Sequence, residues 1–162
     1  MVWNLRLALA ALAAFVAGCS NVSPIPPGSS PLANAVVNKR PDAVQQLLAS
    51  GESPDSVDER GTTALVLAAA TDQFVIANML VDQNANIWAA SKLGYTAAIY
   101  ANTSHIPDDS EEGQARLRLI ERLKAAGYPW PPPWPDDVME LRSAGQWPPL
   151  KSDQGTRPYS TL

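Results

Sequence analysis

The stretch Gly61-Thr62-Thr63-Ala64-Leu65-Val66-Leu67-Ala68 decides the fold, because it returns at a fixed interval. Thirty-three residues earlier stands Gly28-Ser29-Ser30-Pro31-Leu32-Ala33-Asn34-Ala35, and thirty-three later Gly94-Tyr95-Thr96-Ala97-Ala98-Ile99-Tyr100-Ala101. Each copy opens on glycine, offers a hydroxyl two residues on, and closes on a small alanine. A hydroxyl at Ser30, Thr63 or Thr96 can accept from the free N–H groups of a first helical turn, so these three are expected N-caps. The alanines let neighbouring helices approach closely. Further along, Leu47-Leu48-Ala49-Ser50-Gly51 aligns in the same register with Leu80-Val81-Asp82-Gln83-Asn84. Asn84 stands where a helix ends in a left-handed residue, a conformation asparagine tolerates. A third copy, Leu123-Lys124-Ala125-Ala126-Gly127, arrives ten residues late, which places an insertion between the two helices of the third repeat. In the second helices Val44, Leu47 and Leu48, then Ile76, Met79 and Leu80, recur at spacings of three and four and are expected to form the buried stripe.

These segments resemble the ankyrin pattern G-x-T-P-L-H-x-A, with its 33-residue period and its closing L-L-x-x-G. The resemblance implies an all-α fold: an ankyrin-repeat solenoid of about three helix-turn-helix repeats over residues 28–127. No single repeat buries enough apolar surface alone, so stacking is compulsory. The sequence departs from the pattern in places. The histidine is replaced by Ala33, Val66 and Ile99, and the proline survives only as Pro31. Pro26-Pro27 stands where the first β-turn lead-in belongs, so the first repeat is expected to lack a full hairpin. His105 occupies the position that ankyrin repeats usually give to a glycine between the helices.

Before the repeats, Arg6 precedes an unbroken apolar run over residues 7–17, followed at once by Gly18 and Cys19. A positive residue, an apolar core and small residues before a cleavage point make a signal peptide. Eleven residues rise only about 16 Å as a helix, well short of a hydrocarbon core roughly 30 Å thick. Val16-Ala17-Gly18-Cys19 resembles the bacterial lipobox, which implies diacylation of the Cys19 thiol and cleavage in front of it. Residues 1–18 are thus expected to be a lipoprotein signal peptide, and residues 19–27 a lipidated N-terminus and tether rich in Ser, Pro and Gly. Ser20, rather than Asp, follows the cysteine, and by the same resemblance the expected address is the periplasmic face of the outer membrane.

The 162 residues carry 12 Lys and Arg against 16 Asp and Glu, a net charge of -4, with 46% hydrophobic and 17% charged residues. These are the proportions of a folded protein without a footprint for nucleic acid. A single cysteine excludes an internal disulfide and any multi-cysteine metal site. Past Gly127, Tyr128-Pro129-Trp130-Pro131-Pro132-Pro133-Trp134-Pro135 cannot be helical and is expected to be extended. A short helix should start at Asp136 or Asp137 and stop at Gly145. Residues 128–150 are expected to form a Pro/Trp-rich cap in which Trp130, Trp134 and Trp147 fold over the open end of the last repeat. Their other reading is a Pro-rich ligand. Residues 151–162 are expected to be a disordered tail.

No catalytic constellation is visible. His105 is the sole histidine, and neither a nucleophile elbow nor a phosphate-cradling loop occurs. Asp108-Asp109-Ser110-Glu111-Glu112 lacks the spacing that aims alternate carboxylates at calcium, and Asp108 with Glu111 fits a helix cap instead. The expectation is a non-enzyme with no metal, no cofactor and no small-molecule substrate. Ankyrin proteins bind partners through turn tips and the inner face of the first helices. Carried over, this selects Glu59, Arg60, Thr62, Ala70 and Thr71 in the second repeat, and Lys92, Leu93, Tyr95, Thr103 and Ser104 in the third. Trp88 is either a packing residue or an interface anchor. The acidic insertion at 106–113 is expected to project beside this face. Small periplasmic repeat lipoproteins resemble immunity proteins that neutralise toxic effectors such as phospholipases. The alternative is a tether that stabilises an envelope enzyme.

Overall fold

A computed structural model describes residues 30–149. Outside them lie residues 1–18, where a signal peptide is expected, Cys19, the expected tether at 19–27, the first β-turn lead-in and the expected tail at 151–162. Among the described residues there are seven helices: α1 (Pro31–Val37), α2 (Pro41–Ala49), α3 (Ala64–Ala70), α4 (Phe74–Asp82), α5 (Ala97–Thr103), α6 (Glu111–Ala125) and α7 (Pro135–Ser143). There is no strand among them, only isolated antiparallel bridges, Val57 with Thr63 and Ala90 with Thr96, at the base of each turn between repeats.

The inner helices α1, α3 and α5 stack in one layer and the outer helices α2, α4 and α6 in a second. Each inner helix is started by the expected hydroxyl. Ser30 Oγ accepts from Ala33 N at 3.0 Å, Thr63 Oγ1 from Val66 N at 3.4 Å and Thr96 Oγ1 from Ile99 N at 3.3 Å. The small residues Ala35, Ala68 and Ala101 are buried between the layers together with Leu32, Leu65, Phe74, Leu80, Leu119 and Leu123. Of the expected outer stripe, Val44, Ile76 and Leu80 are buried, whereas Leu47, Leu48 and Met79 pack half-buried against its edge. Asn84 adopts φ 60, as its place at a helix end requires. The glycine-like turn inside each repeat is filled by Lys39 (φ 52) and Asp72 (φ 57). His105 does not share their left-handed backbone, because the insertion reroutes the chain there.

The ten inserted residues divide between two elements. Residues 104–110 connect α5 to α6 where 71–73 suffice in the repeat before, and α6 has fifteen residues where α4 has nine. The expected loop at 106–113 is therefore shorter than that, and Gly113 is buried inside α6. Ser110, not Asp108, caps this helix, its Oγ accepting from Gly113 N at 3.0 Å. Asp108 instead pairs with Arg116. The extra turns of α6 serve α4, whose N-cap residue Gln73 supplies no side-chain acceptor to its first turn. Glu112 reaches across and accepts from Val75 N at 2.9 Å. A carboxylate at exposed helix N–H groups is favourable through both hydrogen bonding and the helix dipole. Asn78 donates to the Ala115 carbonyl at 2.8 Å, and Arg122 pairs with Asp82 at 2.8 Å, so α4 and α6 are joined along their length.

The C-terminal segment folds back on the third repeat. Trp88 stacks on Tyr128 with centroids 4.4 Å apart, and Trp147 meets Trp88 edge-on at 5.7 Å while its indole N–H donates to the Trp88 carbonyl at 2.9 Å. Lys124 lies 4.8 Å over the Trp130 ring. Pro132, Pro133 and Val138 are buried. Trp130 and Trp147 thus pack inward, but Trp134 does not, being 46% exposed. Nor does α7 begin at Asp136 or Asp137: Pro135 is its first residue, and the Asp137 carboxylate accepts from Trp134 N at 3.2 Å. Burial of Pro132 and Pro133 takes the middle of the Pro-rich stretch out of reach, against its reading as a Pro-rich ligand.

Candidate protein-binding surface

The turn between α2 and α3 is built by Asp58, whose carboxylate accepts from Arg60 N at 2.9 Å and from Thr62 N at 2.7 Å. This holds Glu59 and Arg60 at the exposed tip. Thr62 itself is 9% exposed, so its expected role in partner contact is overturned: it belongs to the turn's internal bonding. In the following turn Lys92 and Leu93 are exposed at the tip, Leu93 to 66%, and the stem of Lys92 lies against Gly61 of the preceding turn. The two tips are tied further back, where Asn86 N donates to Asp55 at 2.7 Å. Trp88 is a packing residue. Its ring stacks on Tyr128 and meets Trp147 edge-on, which favours the packing role over that of an interface anchor.

From the third tip a column of side chains runs down the inner helix. Tyr95, 39% exposed, stacks on Tyr100 with centroids 5.5 Å apart and planes inclined by 19°. Burial pushes the Tyr100 phenol above its ordinary pKa, and the neighbouring Tyr95 adds to the shift. Beyond Tyr100 comes Thr103, whose hydroxyl donates to the Ile99 carbonyl at 2.8 Å. Ser104 donates to Asp72 Oδ1 at 2.8 Å, which ties the third repeat to the second. In the second repeat the exposed Thr71 donates to the Leu67 carbonyl at 2.9 Å, next to the exposed Ala70. The expected residues therefore fall in two groups: Glu59, Arg60, Lys92 and Leu93 at the tips, and Thr71, Thr103 and Ser104 at the far ends of the inner helices, with Tyr95 leading from one to the other. Sequence reasoning missed Tyr100 and Asp72. Tyr100 occupies the register of Leu67, and an aromatic ring in place of an aliphatic side chain on an inner helix was the signal available.

Among the described residues no three His, Cys, Asp or Glu side chains are grouped to hold a metal ion. Two of the carboxylates at 108–112 serve structure instead, Asp108 on Arg116 and Glu112 on α4. No described helix is long and apolar enough to cross a membrane.

Two stacked layers of paired helices, with exposed turn tips along one edge, define a helix-turn-helix repeat solenoid. Residues 32–108 match the family described as Ankyrin repeats (3 copies), and the solenoid is an ankyrin-repeat solenoid. No curated protein matches the chain. Ankyrin repeats bind protein partners, and domains made of them are typically interaction modules rather than enzymes.

Proposed function

We propose that this chain is a lipoprotein held by Cys19 on the periplasmic face of the outer membrane, whose repeats bind and inhibit a protein effector. In that role it resembles an immunity protein, and a membrane-attacking phospholipase is the kind of toxin it would neutralise. The observation that carries the reading is the exposed edge formed by Glu59, Arg60, Lys92, Leu93 and Tyr95, where charge, an aliphatic side chain and an aromatic ring stand together in reach of solvent. Such mixed faces concentrate binding energy in aromatic and arginine positions. The anchor is supported by the position of the only cysteine, directly after Val16-Ala17-Gly18.

Two experiments test the two halves. Cys19→Ser abolishes acylation and releases the protein from membranes; mass spectrometry of the wild-type chain that finds no lipid removes the anchor from the proposal. For the partner, the tagged chain is used to capture proteins from envelope extract. Replacing Arg60 and Tyr95 together by alanine weakens capture by about 2 kcal/mol or more, with only a modest fall in melting temperature, because Arg60 is exposed and Tyr95 gives up one partly exposed ring stack. A toxin as the main captured protein supports the inhibitor, and a resident envelope enzyme supports the tether in its place. Capture undiminished by the double substitution moves the interface to another surface.

A further inference from the structure

We propose that the corner between the C-terminal ends of α3 and α5 is a receptor for an arginine side chain of the protein partner. The proposal deepens the protein-binding reading above and rests on it. A groove of 480 Å³ lies there, lined by Ala69, Ala70, Tyr100 and Thr103, with Asp72, Ser104 and His105 among its polar groups.

Its polar and aromatic parts are held in place before any partner arrives. Asp72 has a left-handed backbone at φ 57, and one carboxylate oxygen accepts the Ser104 hydroxyl from 32 residues further along the chain. The other oxygen has no donor among the described residues. Neither duty calls for a charge. Asparagine tolerates the same backbone and would accept the same hydroxyl through its amide oxygen. The negative charge at Asp72 is therefore surplus to the fold. Tyr100, which lines the groove, is half-buried and held by its stack on Tyr95.

The charge distribution selects a cation. The salt bridges among the described residues are Arg116 with Asp108 and Arg122 with Asp82. Asp72, and Asp109 and Glu111 at the α5–α6 connection, have no cationic partner there. Lys39 and Arg40 fill the corresponding turn one repeat earlier, so this edge of the solenoid passes from positive to negative along the array. A guanidinium fits better than an ammonium. Its plane stacks on an aromatic ring such as Tyr100, its fork suits a carboxylate with a free oxygen such as Asp72, and its methylene stem can lie along apolar lining such as the alanines.

The test is a titration of the isotope-labelled 162-residue chain, kept in solution with detergent, followed by NMR at low ionic strength. The probes are the blocked pentapeptide Gly-Gly-Arg-Gly-Gly and versions with lysine or citrulline at the centre. The arginine peptide shifts the signals of Asp72, Tyr100, Thr103 and Ser104 with saturation. The lysine peptide binds more weakly, and the neutral citrulline peptide leaves them unmoved. Asp72→Asn weakens the arginine peptide by about five-fold or more while leaving the melting temperature in place. Tyr100→Leu, which restores the residue type of the preceding repeat, weakens it as well. Equal binding of the citrulline peptide, shifts centred on Arg60 and Leu93, or a response indifferent to Asp72→Asn overturns the proposal. No natural partner enters these titrations, so an empty groove and a failed capture by the tips are separate results.

Discussion

Leu80→Ala lowers the stability of the solenoid by about 2 to 5 kcal/mol, the range for truncating a fully buried leucine. Leu80 is completely buried, and its helix α4 touches the outer helices on both sides as well as its own inner helix α3. The cavity would open in the middle repeat, which has neighbours on two sides and the least freedom to collapse. Urea unfolding followed by helical circular dichroism measures the loss. Leu48→Ala at the equivalent place but one in the first repeat removes a side chain of the same size that is only half-buried, and it should cost clearly less. Equal costs for the two would mean that the second repeat is not the centre of the core.

Gly94→Ala destabilises by about 2 to 4 kcal/mol, the sum of an unfavourable left-handed backbone and overpacking. Gly94 has φ 81, and a Cβ built on it would overlap the backbone carbonyl of Pro135, which has no flexible side chain to move aside. The third turn and the C-terminal segment are in direct contact at this point, and Arg142 donating to the Ser91 carbonyl at 2.9 Å closes a second link nearby. The substitution should therefore loosen the cap before the repeats, read as faster proteolysis after Tyr128. Gly145→Ala is the control. That glycine also has positive φ, at 68, but its Cβ would meet nothing within 4 Å, so only the backbone part of the cost remains. If both alanines cost the same, the cap is not seated on Gly94.

The parts of this architecture that were legible in the sequence are those determined by residues a few positions apart. A hydroxyl caps the helix that begins one residue later, and an alanine every 33 residues permits a close crossing; Ser30, Thr63 and Thr96 did as their spacing implied. What the sequence could not resolve depends on partners far along the chain. Trp88 could equally have been exposed, and its fate was decided by Trp147, 59 residues away. Thr62 lies two residues after exposed Arg60, yet the Asp58 carboxylate draws its backbone inward. At the start of α6 two acceptors competed, and Asp108 was taken by Arg116, which left Ser110 to the helix. The candidate surface was half legible for the same reason. Its tips are local turns, whereas the Asp72–Ser104 corner exists only once two repeats have stacked.

The reach of Glu112 onto the first turn of α4 has a consequence for how far the array can be divided. In a regular solenoid repeats meet through their packed faces, and trimming at a boundary takes an interface from the last repeat left without removing a cap from inside it. Here the outer helix of the second repeat takes a hydrogen-bond acceptor from the third. A fragment ending near residue 90 would keep every residue of α4 and still leave that helix frayed at its start. The second and third repeats are therefore one cooperative unit, and during synthesis the middle of the protein stays unfinished until the ribosome has released the segment that carries residue 112.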